Sequence, residues 1–396
     1  MRRRRRGAAW LVIVTIAASA CATHAVMPFG ADGQPLPAEA DEIALWARTE
    51  QEDDALLKKV RPYDDPLLAE YLARVGDRLA GNAAFRPIVL RDPTLNAFAM
   101  PNGKVYVHTG LLSRLDNESQ LAMILGHEMT HVTHRHALGV PRAAASTKRP
   151  IQAVAMSPTA AAIVGFGLRL ATVAAIDGYG RNLERDADDG GLQHLVEAGY
   201  DAREAPKAFE VLRSGAKERG SLEIFFFGNP RRLTERIETT RKLVATRYAV
   251  AVATRTAVRD TEEFQLRMRS VVRENAYDDI RAGRFEVARA QLDRVLAVTP
   301  GDPVAHVYYG DLHRLQAQRA RDAVQQALEA GLALAAYQQA AALDPTLPEP
   351  HRELGFLYYQ QKQNTRAAEA FRTYLALKPD APDAARIKEY LAELDR

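Results

Sequence analysis

The pentapeptide His127-Glu128-Met129-Thr130-His131 combines two imidazoles and one carboxylate at a spacing that suits metal chemistry. In a helix, residues four apart lie on the same face, so His127 and His131 can bind one ion together. Glu128 lies at the edge of that face, where its carboxylate can take a proton from a water molecule beside the metal. The alternative is an amphipathic helix that carries exposed histidines, because two further histidines follow closely.

A third protein ligand is predicted in the segment 181–188, which reads Arg-Asn-Leu-Glu-Arg-Asp-Ala-Asp. If this segment is a helix, Glu184 and Asp188 share a face and repel each other unless a cation compensates them. A metal beside Glu184, with Asp188 hydrogen-bonded to a ligating histidine, explains the pair. In the alternative, the segment is a solvated helix whose acids are neutralised by Arg181 and Arg185.

The residues before the pentapeptide supply the elements that position it. Alternating apolar residues between Pro87 and Leu112 predict strands, and Pro-Asn-Gly-Lys at 101–104 predicts a hairpin turn, because Asn-Gly tolerates positive φ angles. The metal helix is predicted to begin near Asp116 or Asn117. An edge strand beside such a helix can pair with an extended peptide substrate, and structural packing is the alternative.

Two features after the pentapeptide have structural explanations. His134 and His136 are expected to pack or to form hydrogen bonds rather than to bind the metal. The segment from Ile151 to Ile176 is nearly uncharged, but a proline and two glycines make it a poor single membrane span. We expect a helix or lid packed beside the metal site, with a membrane-dipping segment as the alternative.

Length and charge limit the possible classes of protein. A chain of 396 residues predicts two or more domains, and its 47% hydrophobic composition is enough for a sizeable core. The formal charge of +3 depends on Arg2 to Arg6, and removing residues 1–20 leaves +3 − 5 = −2. The charge therefore does not indicate a basic nucleic-acid-binding protein, and no nucleic-acid partner is expected.

The N-terminus has the layout of a secretory signal over residues 1–20. The arginines precede an apolar stretch that is too short to span a bilayer comfortably and that ends in small residues. Cys21 is the single cysteine, so no internal disulfide is possible, and its position resembles the acylated first residue of bacterial lipoproteins. By the same resemblance, Ala22 favours the outer membrane. Cleavage after Ala-x-Ala by the ordinary signal peptidase is the alternative, and residues 21–40 are predicted to be a tether.

Beyond residue 250 the sequence predicts a repeat of paired helices. Pro345 and Pro379 are 34 residues apart, which is the tetratricopeptide period. Pro300 and Pro345 are 45 apart, which fits one repeat with an insertion of about eleven residues within Leu315 to Leu332. Three such units form a short solenoid whose concave face suits a peptide or protein partner. Four tyrosines are candidates to line that face, with core packing as the alternative: Tyr308, Tyr309, Tyr358 and Tyr359.

Four motifs in order resemble the HtpX-like family of zinc metallopeptidases, in particular its periplasmic members with C-terminal tetratricopeptide repeats. The motifs are Tyr63 to Leu72, Asn96 to Gly103, the His-Glu-x-x-His helix, and Arg181 to Asp188. The resemblance covers roughly residues 60 to 245. It implies one zinc ion bound by His127, His131 and Glu184, with Glu128 as general base and Asp188 orienting a ligand.

The chain departs from the family pattern at one place. Family members usually carry a His-Pro pair shortly before an Arg-Ile step, which here is Arg236-Ile237, whereas this chain has Asn229-Pro230. Any gating of the metal site by that histidine is therefore in doubt, and any help that it gives in the transition state must come from another group. Arg236 is the candidate donor, with an ordinary surface or ion-pair arginine as the alternative.

These observations and the resemblance predict an α+β, mainly α fold. A zincin (gluzincin-like) metallopeptidase domain with a small β-sheet is expected over residues 41–250, followed by an all-α tetratricopeptide repeat solenoid over residues 251–396. We expect an exported, zinc-dependent metalloendopeptidase with one Zn²⁺ per chain. It is expected at the periplasmic face of the outer membrane, anchored through lipidated Cys21, with a soluble periplasmic protein as the alternative.

The expected partners are polypeptide substrates and, through the repeats, another protein such as the outer-membrane assembly machinery. Misassembled envelope proteins with an accessible extended segment are the expected substrates. The alternative from another class is a non-proteolytic chaperone or assembly adaptor that acts through the repeats. A third alternative, metal storage by the histidine cluster, leaves Glu184 and the repeats unused.

Overall fold

The computed structural model describes residues 40–58, 60–80, 87–137, 179–216, 230–254 and 256–395. The predicted signal, nearly all of the predicted tether and the segment from Ile151 to Ile176 lie outside the described residues. Helices dominate the described chain, and three short strands form one small sheet. The predicted α+β, mainly α class is therefore confirmed.

The N-terminal part of the described chain alternates helices with short strands. Its elements are α1 (Ala40–Leu57), α2 (Pro66–Ala80), β1 (Pro87–Leu90), β2 (Ala97–Ala99), β3 (Val105–His108), α3 (Thr109–Leu112) and α4 (Glu118–Thr133). The sequence of α2 places an apolar residue every three or four positions, which gives this helix one apolar face. That face is buried in the core through Leu68, Tyr71, Leu72, Val75 and Leu79.

The small sheet has the strand order β1-β3-β2, with β1 parallel and β2 antiparallel to β3. The predicted hairpin turn joins β2 to β3: Met100 N–H donates to the Lys104 carbonyl at 2.8 Å, and Gly103 has a φ of +87°. The outer edge of β1 is covered, because Tyr63 N–H donates to the Val89 carbonyl at 2.8 Å. In the part of the chain that the structure describes, no strand pairs with the outer edge of β2.

Helix α4 is almost completely buried and begins at a side-chain cap. The Asn117 side chain accepts a hydrogen bond from Gln120 N–H at 3.0 Å, which satisfies one of the unpaired amides of the first turn. Of the two predicted caps, Asp116 and Asn117, the structure therefore uses Asn117. The helix places His127 and His131 one turn apart, as predicted.

Helix α5 (Tyr179–Glu197) packs closely along α4 because two glycines face it. A Cβ atom on Gly191 would lie 2.8 Å from the His127 backbone nitrogen, and one on Gly190 would lie 2.5 Å from the Thr130 side chain. Any larger residue at these positions would push the two helices apart. The close approach brings the acidic face of α5 to the histidine face of α4.

The remaining described residues form mainly helices. A 3₁₀ turn at Ala202–Glu204 leads into α6 (Ala205–Ala216), α7 (Pro230–Ala245) and α8 (Ala249–Thr254). The repeat region then contains α9 (Glu262–Arg281), α10 (Phe285–Val298), α11 (Pro303–Arg319), α12 (Ala323–Leu343), α13 (Pro348–Gln360), α14 (Asn364–Leu377) and α15 (Ala384–Leu394). Consecutive helices pack as the pairs α9 with α10, α11 with α12, and α13 with α14, and α15 packs against α14.

The middle pair of the repeat region accommodates the predicted insertion by lengthening both of its helices. Helices α11 and α12 contain 17 and 21 residues, against 13 and 14 in α13 and α14. The extra residues leave apolar side chains on the surface of α12, with Val324 81% and Leu328 55% exposed.

One hydrophobic core runs through the described part of the region before residue 251 and into the first helices of the repeat region. Phe264, Val271 and Ile280 of α9 are buried together with Leu121 of α4 and Leu72 of α2. The predicted boundary between residues 250 and 251 therefore lies within continuously packed structure, and the division into domains stays a prediction.

The four tyrosines of the repeats form hydrogen bonds within the repeat region. Their bonding partners are Glu274 for Tyr308, Asp293 for Tyr309, Gln338 for Tyr358 and Glu393 for Tyr359. A lining role at a concave face stays a prediction.

Among the described helices, none has the length and apolar character that crossing a membrane requires.

Two glycines of the repeat region form a matched pair of stability tests. A Cβ on Gly310 would overlap the ring of the buried Tyr337, whereas Gly331 has nothing within 4 Å of that position. We expect Gly310→Ala to lower the free energy of unfolding by roughly 1–3 kcal/mol through overpacking. We expect Gly331→Ala to raise it by roughly 0.5–1 kcal/mol, because alanine is the better helix former. Denaturant unfolding of the full chain, followed by circular dichroism, measures both changes. Equal losses in the two variants would contradict the packing of α11 against α12.

Candidate metal centre

The side chains of His127, His131 and Glu184 converge on one point between α4 and α5. The two histidine Nε2 atoms are 3.2 Å apart. Glu184 Oε2 lies 3.6 Å from His127 Nε2, and Glu184 Oε1 lies 3.5 Å from His131 Nε2. A tetrahedral zinc ion with bonds of about 2.0–2.1 Å holds its ligand atoms about 3.3 Å apart. The three side chains therefore fit one zinc ion, and two imidazoles with one carboxylate form a donor set that zinc accepts.

A buried ion pair lies behind these three side chains. Asp188 Oδ1 is 3.0 Å from His127 Nδ1, the ring nitrogen that faces away from the convergence point. Arg236 bonds the same carboxylate twice, from Nε to Oδ2 at 2.9 Å and from Nη2 to Oδ1 at 2.7 Å. Its Nη1 lies 3.5 Å from Glu184 Oε2, and its guanidinium lies 4.3 Å from the centre of the Phe209 ring. The structure thus places Arg236 in the site as an ion-pair partner of the acidic residues.

The charges around the site set the protonation of the convergent residues in the absence of metal. Burial lowers the pKa of His127, but hydrogen bonds to Asp188 and Glu184 outweigh burial and raise it to about 9. Burial alone would raise the pKa of Glu184, but the hydrogen bond from His127 and the nearby charge of Arg236 hold it well below its usual range. Burial lowers the pKa of His131, so that this ring is neutral.

Glu128 is buried beside the edge of the small sheet. Burial, together with the negative charge of Glu184, raises the pKa of Glu128 to about 7, although the charge of His127 opposes this. The backbone N–H of Ala99 lies near the Glu128 carboxylate and acts in the opposite direction, lowering its pKa. The next residue, Met100, instead donates its N–H to the carbonyl of Lys104, which directly precedes β3. Because successive residues of a strand point their amides in opposite directions, Ala99 directs its N–H group to the open edge of β2.

A second group of polar side chains adjoins the first. His134, His136 and Asp186 also bring three potential ligand atoms together. His136 Nε2 is 2.9 Å from Asp186 Oδ2, and His134 Nδ1 bonds the same oxygen. His136 Nδ1 is 3.0 Å from His131 Nδ1. The prediction that His134 and His136 form hydrogen bonds agrees with these contacts.

Two members of the site had no role in the sequence prediction. Asp186 lies between Glu184 and Asp188, but a position two residues from each falls on another side of the helix. The prediction based on a shared helix face therefore did not include it. Phe209 belongs to an ordinary apolar face of α6, and nothing in the sequence distinguishes it from a core residue. The signal for the helix contact was present, because adjacent glycines at 190 and 191 in a polar helix predict a close approach.

Comparison with known proteins identifies two regions of the chain. Residues 66–246 match the model of peptidase family M48, and residues 318–392 match a tetratricopeptide repeat model. The first match confirms the metallopeptidase resemblance predicted for roughly residues 60 to 245, and the second confirms the repeats.

Curated relatives match part of this chain. The chain is 30% identical over 170 residues to the beta-barrel assembly-enhancing protease of Escherichia coli, covering 39% of this chain and 34% of that protein. It is 33% identical over 164 residues to the protein of the same name from Yersinia pestis, covering 37% and 33%. It is 31% identical over 171 residues to the mitochondrial metalloendopeptidase OMA1 of Arabidopsis thaliana, covering 42% and 33%. The chain therefore spans about a third of the length of these curated relatives.

The raised pKa of His127 predicts that metal binding releases a proton. At about pH 8 the metal-free chain carries His127 largely protonated, because its pKa of about 9 lies above that pH. A ligating imidazole must be neutral, so each zinc ion that binds displaces this proton. We expect calorimetric titrations with zinc in buffers of different ionisation enthalpy to show the release.

Asp188→Asn is the control for this measurement. It removes the carboxylate whose hydrogen bond contributes most to raising the pKa of His127. It should release about one proton fewer per zinc than the wild-type chain at the same pH. This difference separates the histidine proton from any proton lost by metal-bound water. Equal release from both chains would contradict the protonated state of His127.

Proposed function

We propose, on the premise that this chain carries a peptidase family M48 domain followed by tetratricopeptide repeats, that it is an exported zinc-dependent metalloendopeptidase. The observation that carries the proposal is the convergence of His127, His131 and Glu184 at separations that fit zinc, with Glu128 buried at the same place. A carboxylate beside a three-ligand site is the arrangement that zinc-dependent peptide hydrolysis uses.

Each residue of the proposed site has a distinct role. His127, His131 and Glu184 hold one zinc ion, which when bound supplies the Lewis acidity that polarises the scissile carbonyl and activates water. Glu128 takes the proton of the attacking water and then gives it to the leaving amine. Its buried position raises its pKa to about 7 in the metal-free site, in the range that suits a group that both accepts and donates a proton near neutral pH.

The open edge of β2 is the proposed binding surface for the substrate backbone. Ala99 points its amide towards this edge and lies near Glu128, so a peptide that pairs with β2 lies beside the general base. Pairing through the main chain favours polypeptides with an accessible extended segment, whatever their side chains. Unfolded or misassembled proteins provide such segments.

Asp188 and Arg236 are proposed to hold the ligands in place. Asp188 accepts a hydrogen bond from His127 Nδ1, which leaves Nε2 of that ring as the metal-binding nitrogen. Arg236 compensates the charge of Asp188 in a buried position and reaches towards Glu184. A direct role of Arg236 as donor to the transition state requires that its Nη1 turns from Glu184 to the substrate.

The proposed location and partners rest on the sequence and on the names of the relatives. The N-terminal layout supports export, and Cys21 supports lipidation and attachment to the periplasmic face of the outer membrane, with a soluble periplasmic protein as the alternative. Two of the matched relatives are named for enhancing the assembly of beta-barrels, which supports a role in envelope protein quality control. The repeats supply a surface for a protein partner.

The alternative function is a chaperone or assembly adaptor without proteolysis. The observation that favours it is the absence of a histidine from residues 228–232 in the sequence, where the family usually carries one. The intact Glu128 favours the peptidase. The two functions differ in whether an unfolded protein is cut or only bound.

Substitution of the general base tests the proposal. We expect Glu128→Gln to reduce the cleavage of an unfolded model protein by about 10²- to 10⁴-fold, because glutamine cannot accept the proton of the attacking water. The variant keeps the three metal ligands, so we expect it to bind one zinc ion as the wild-type chain does. Gel-based cleavage assays and zinc analysis of the same samples measure the two properties.

Two further samples complete that test. Wild-type chain treated with a chelator should lose cleavage and regain it when zinc is added back. A zinc-loaded wild-type chain that binds the unfolded protein but leaves it intact would contradict the peptidase and favour the adaptor.

A conservative change at Arg236 separates its two roles. Lysine keeps the positive charge but cannot bond both oxygens of Asp188 in the forked manner of arginine. We expect Arg236→Lys to weaken zinc binding by about 10-fold, because Asp188 then holds His127 less firmly. Competition with a chromophoric chelator measures the affinity. Unchanged zinc affinity with a lowered kcat would instead assign Arg236 to the transition state.

A further inference from the structure

The second ring nitrogen of His131 is the start of a chain of hydrogen bonds that leads out of the site. His131 Nε2 faces His127 and Glu184, whereas its Nδ1 lies 3.0 Å from Nδ1 of His136. His136 then places its Nε2 2.9 Å from Asp186 Oδ2. This series of hydrogen bonds therefore runs from a proposed metal ligand through a buried histidine to a half-exposed carboxylate.

The position of every proton in this series of hydrogen bonds follows from which ring nitrogen of His131 binds the metal. If Nε2 of the neutral His131 ring binds the metal, its proton must be on Nδ1. That N–H can donate only to an unprotonated Nδ1 of His136, which moves the His136 proton to Nε2. Nε2–H of His136 then donates to Asp186, a carboxylate that can only accept. Each donor in the chain thus meets one acceptor.

The backbone places His136 by means of an unfavourable conformation. Helix α4 ends at Thr133, and Arg135 follows with a φ of +53°, which is the left-handed region. For a residue other than glycine this conformation costs on the order of 1 kcal/mol. Arg135 Nε is held by the buried carboxylate of Glu42 at 2.9 Å. The turn brings the His136 ring back to His131, so the strain is offset by a specific contact.

The same three outer residues, His134, His136 and Asp186, have the types that bind a second metal ion. A metal on Nε2 of His136 would move the ring proton to Nδ1, where it would point at the Nδ1–H of metal-bound His131 at 3.0 Å. Two donors cannot share that contact. Occupation of the first site therefore disfavours a metal in the outer group.

We propose that His136 and Asp186 are positioning residues for the metal centre, which fix His131 in the orientation and tautomer that leave Nε2 free to bind zinc. This inference rests on the metal site of the proposed function but not on peptide hydrolysis. Contacts of this kind behind a ligating histidine raise the metal affinity of a site by about 10- to 100-fold.

Two matched leucine variants test the proposal. His136→Leu removes the partner of His131, whereas His134→Leu removes a histidine that bonds the same Asp186 oxygen but has no contact with His131 among those described. We expect His136→Leu to weaken zinc binding by about 10- to 100-fold and His134→Leu to change it by less than about twofold. Competition with a chromophoric chelator, in the full chain and without substrate, measures the affinities.

A rescue variant and a stability measurement separate positioning from simple packing. The amide of His136→Asn offers an oxygen to His131 and an N–H group to Asp186, so we expect it to recover part of the affinity that leucine loses. The visible spectrum of cobalt-loaded protein should change in His136→Leu and not in His134→Leu. Thermal unfolding of the metal-free variants shows whether each remains folded at the temperature of the titration.

The outcomes that overturn the proposal are distinct from those that overturn the peptidase. Equal losses of affinity in the two leucine variants, or an unchanged affinity in folded His136→Leu, would reject the positioning role. Two zinc ions bound to the wild-type chain and one to His134→Leu would assign the outer group to a second metal instead. If the zinc affinities of the variants follow the proposal but the zinc-loaded wild-type chain does not cleave an unfolded protein, the peptidase alone is rejected.

Discussion

The close contact between α4 and α5 is the constraint on which the site depends. The glycines at 190 and 191 leave no side chain between the helices, so the backbone of α5 lies directly against His127 and Thr130. At this separation Glu184 reaches both histidines and Asp188 reaches the back of the His127 ring. Burying these four ionisable groups so close together removes their hydration and brings the two carboxylates near each other. Opposite charges must compensate this cost. The Arg236 guanidinium supplies part of that compensation, and a divalent metal would supply the rest.

The N-terminal end of the metal helix is fixed by residues that lead into the repeats. The buried Glu118 accepts hydrogen bonds from Tyr71 and Tyr200 at 2.9 and 2.8 Å and also bonds Thr261. A carboxylate in the first turn is favourable because it faces the positive end of the helix dipole. Ser119 N–H donates to the Arg259 carbonyl at 3.0 Å. The metal helix and the start of the repeat region thus share one buried polar network, and the core is continuous between them.

The sequence predicted the parts of the site that depend on local geometry. The spacing of His127 and His131 follows from the helix period, and Glu184 with Asp188 follows from the same period on a second helix. The turn before β3 follows from the preference of Asn-Gly for positive φ angles. These rules need no knowledge of which elements meet in space.

Tertiary contacts decided the rest. The contact between Asp188 and Arg236 joins residues 48 apart in the chain. The sequence indicated either a donor or a surface or ion-pair arginine at position 236, without naming its partner. The contact from His136 to His131 depends on a left-handed Arg135, which no residue preference predicts because arginine rarely adopts it. Asp186 contacts His136 because the turn after α4 lies beside α5, a proximity that the sequence does not indicate.

Anomalous diffraction at the zinc edge from crystals of the zinc-loaded chain tests the account most directly, because it locates the metal and its ligands without reference to activity. We predict one strong peak per chain, bound by Nε2 of His127, Nε2 of His131 and the carboxylate of Glu184, with His136 behind His131 and not on the metal. A peak bound by His134, His136 and Asp186, or a zinc ion without Glu184 among its ligands, would contradict the proposed centre.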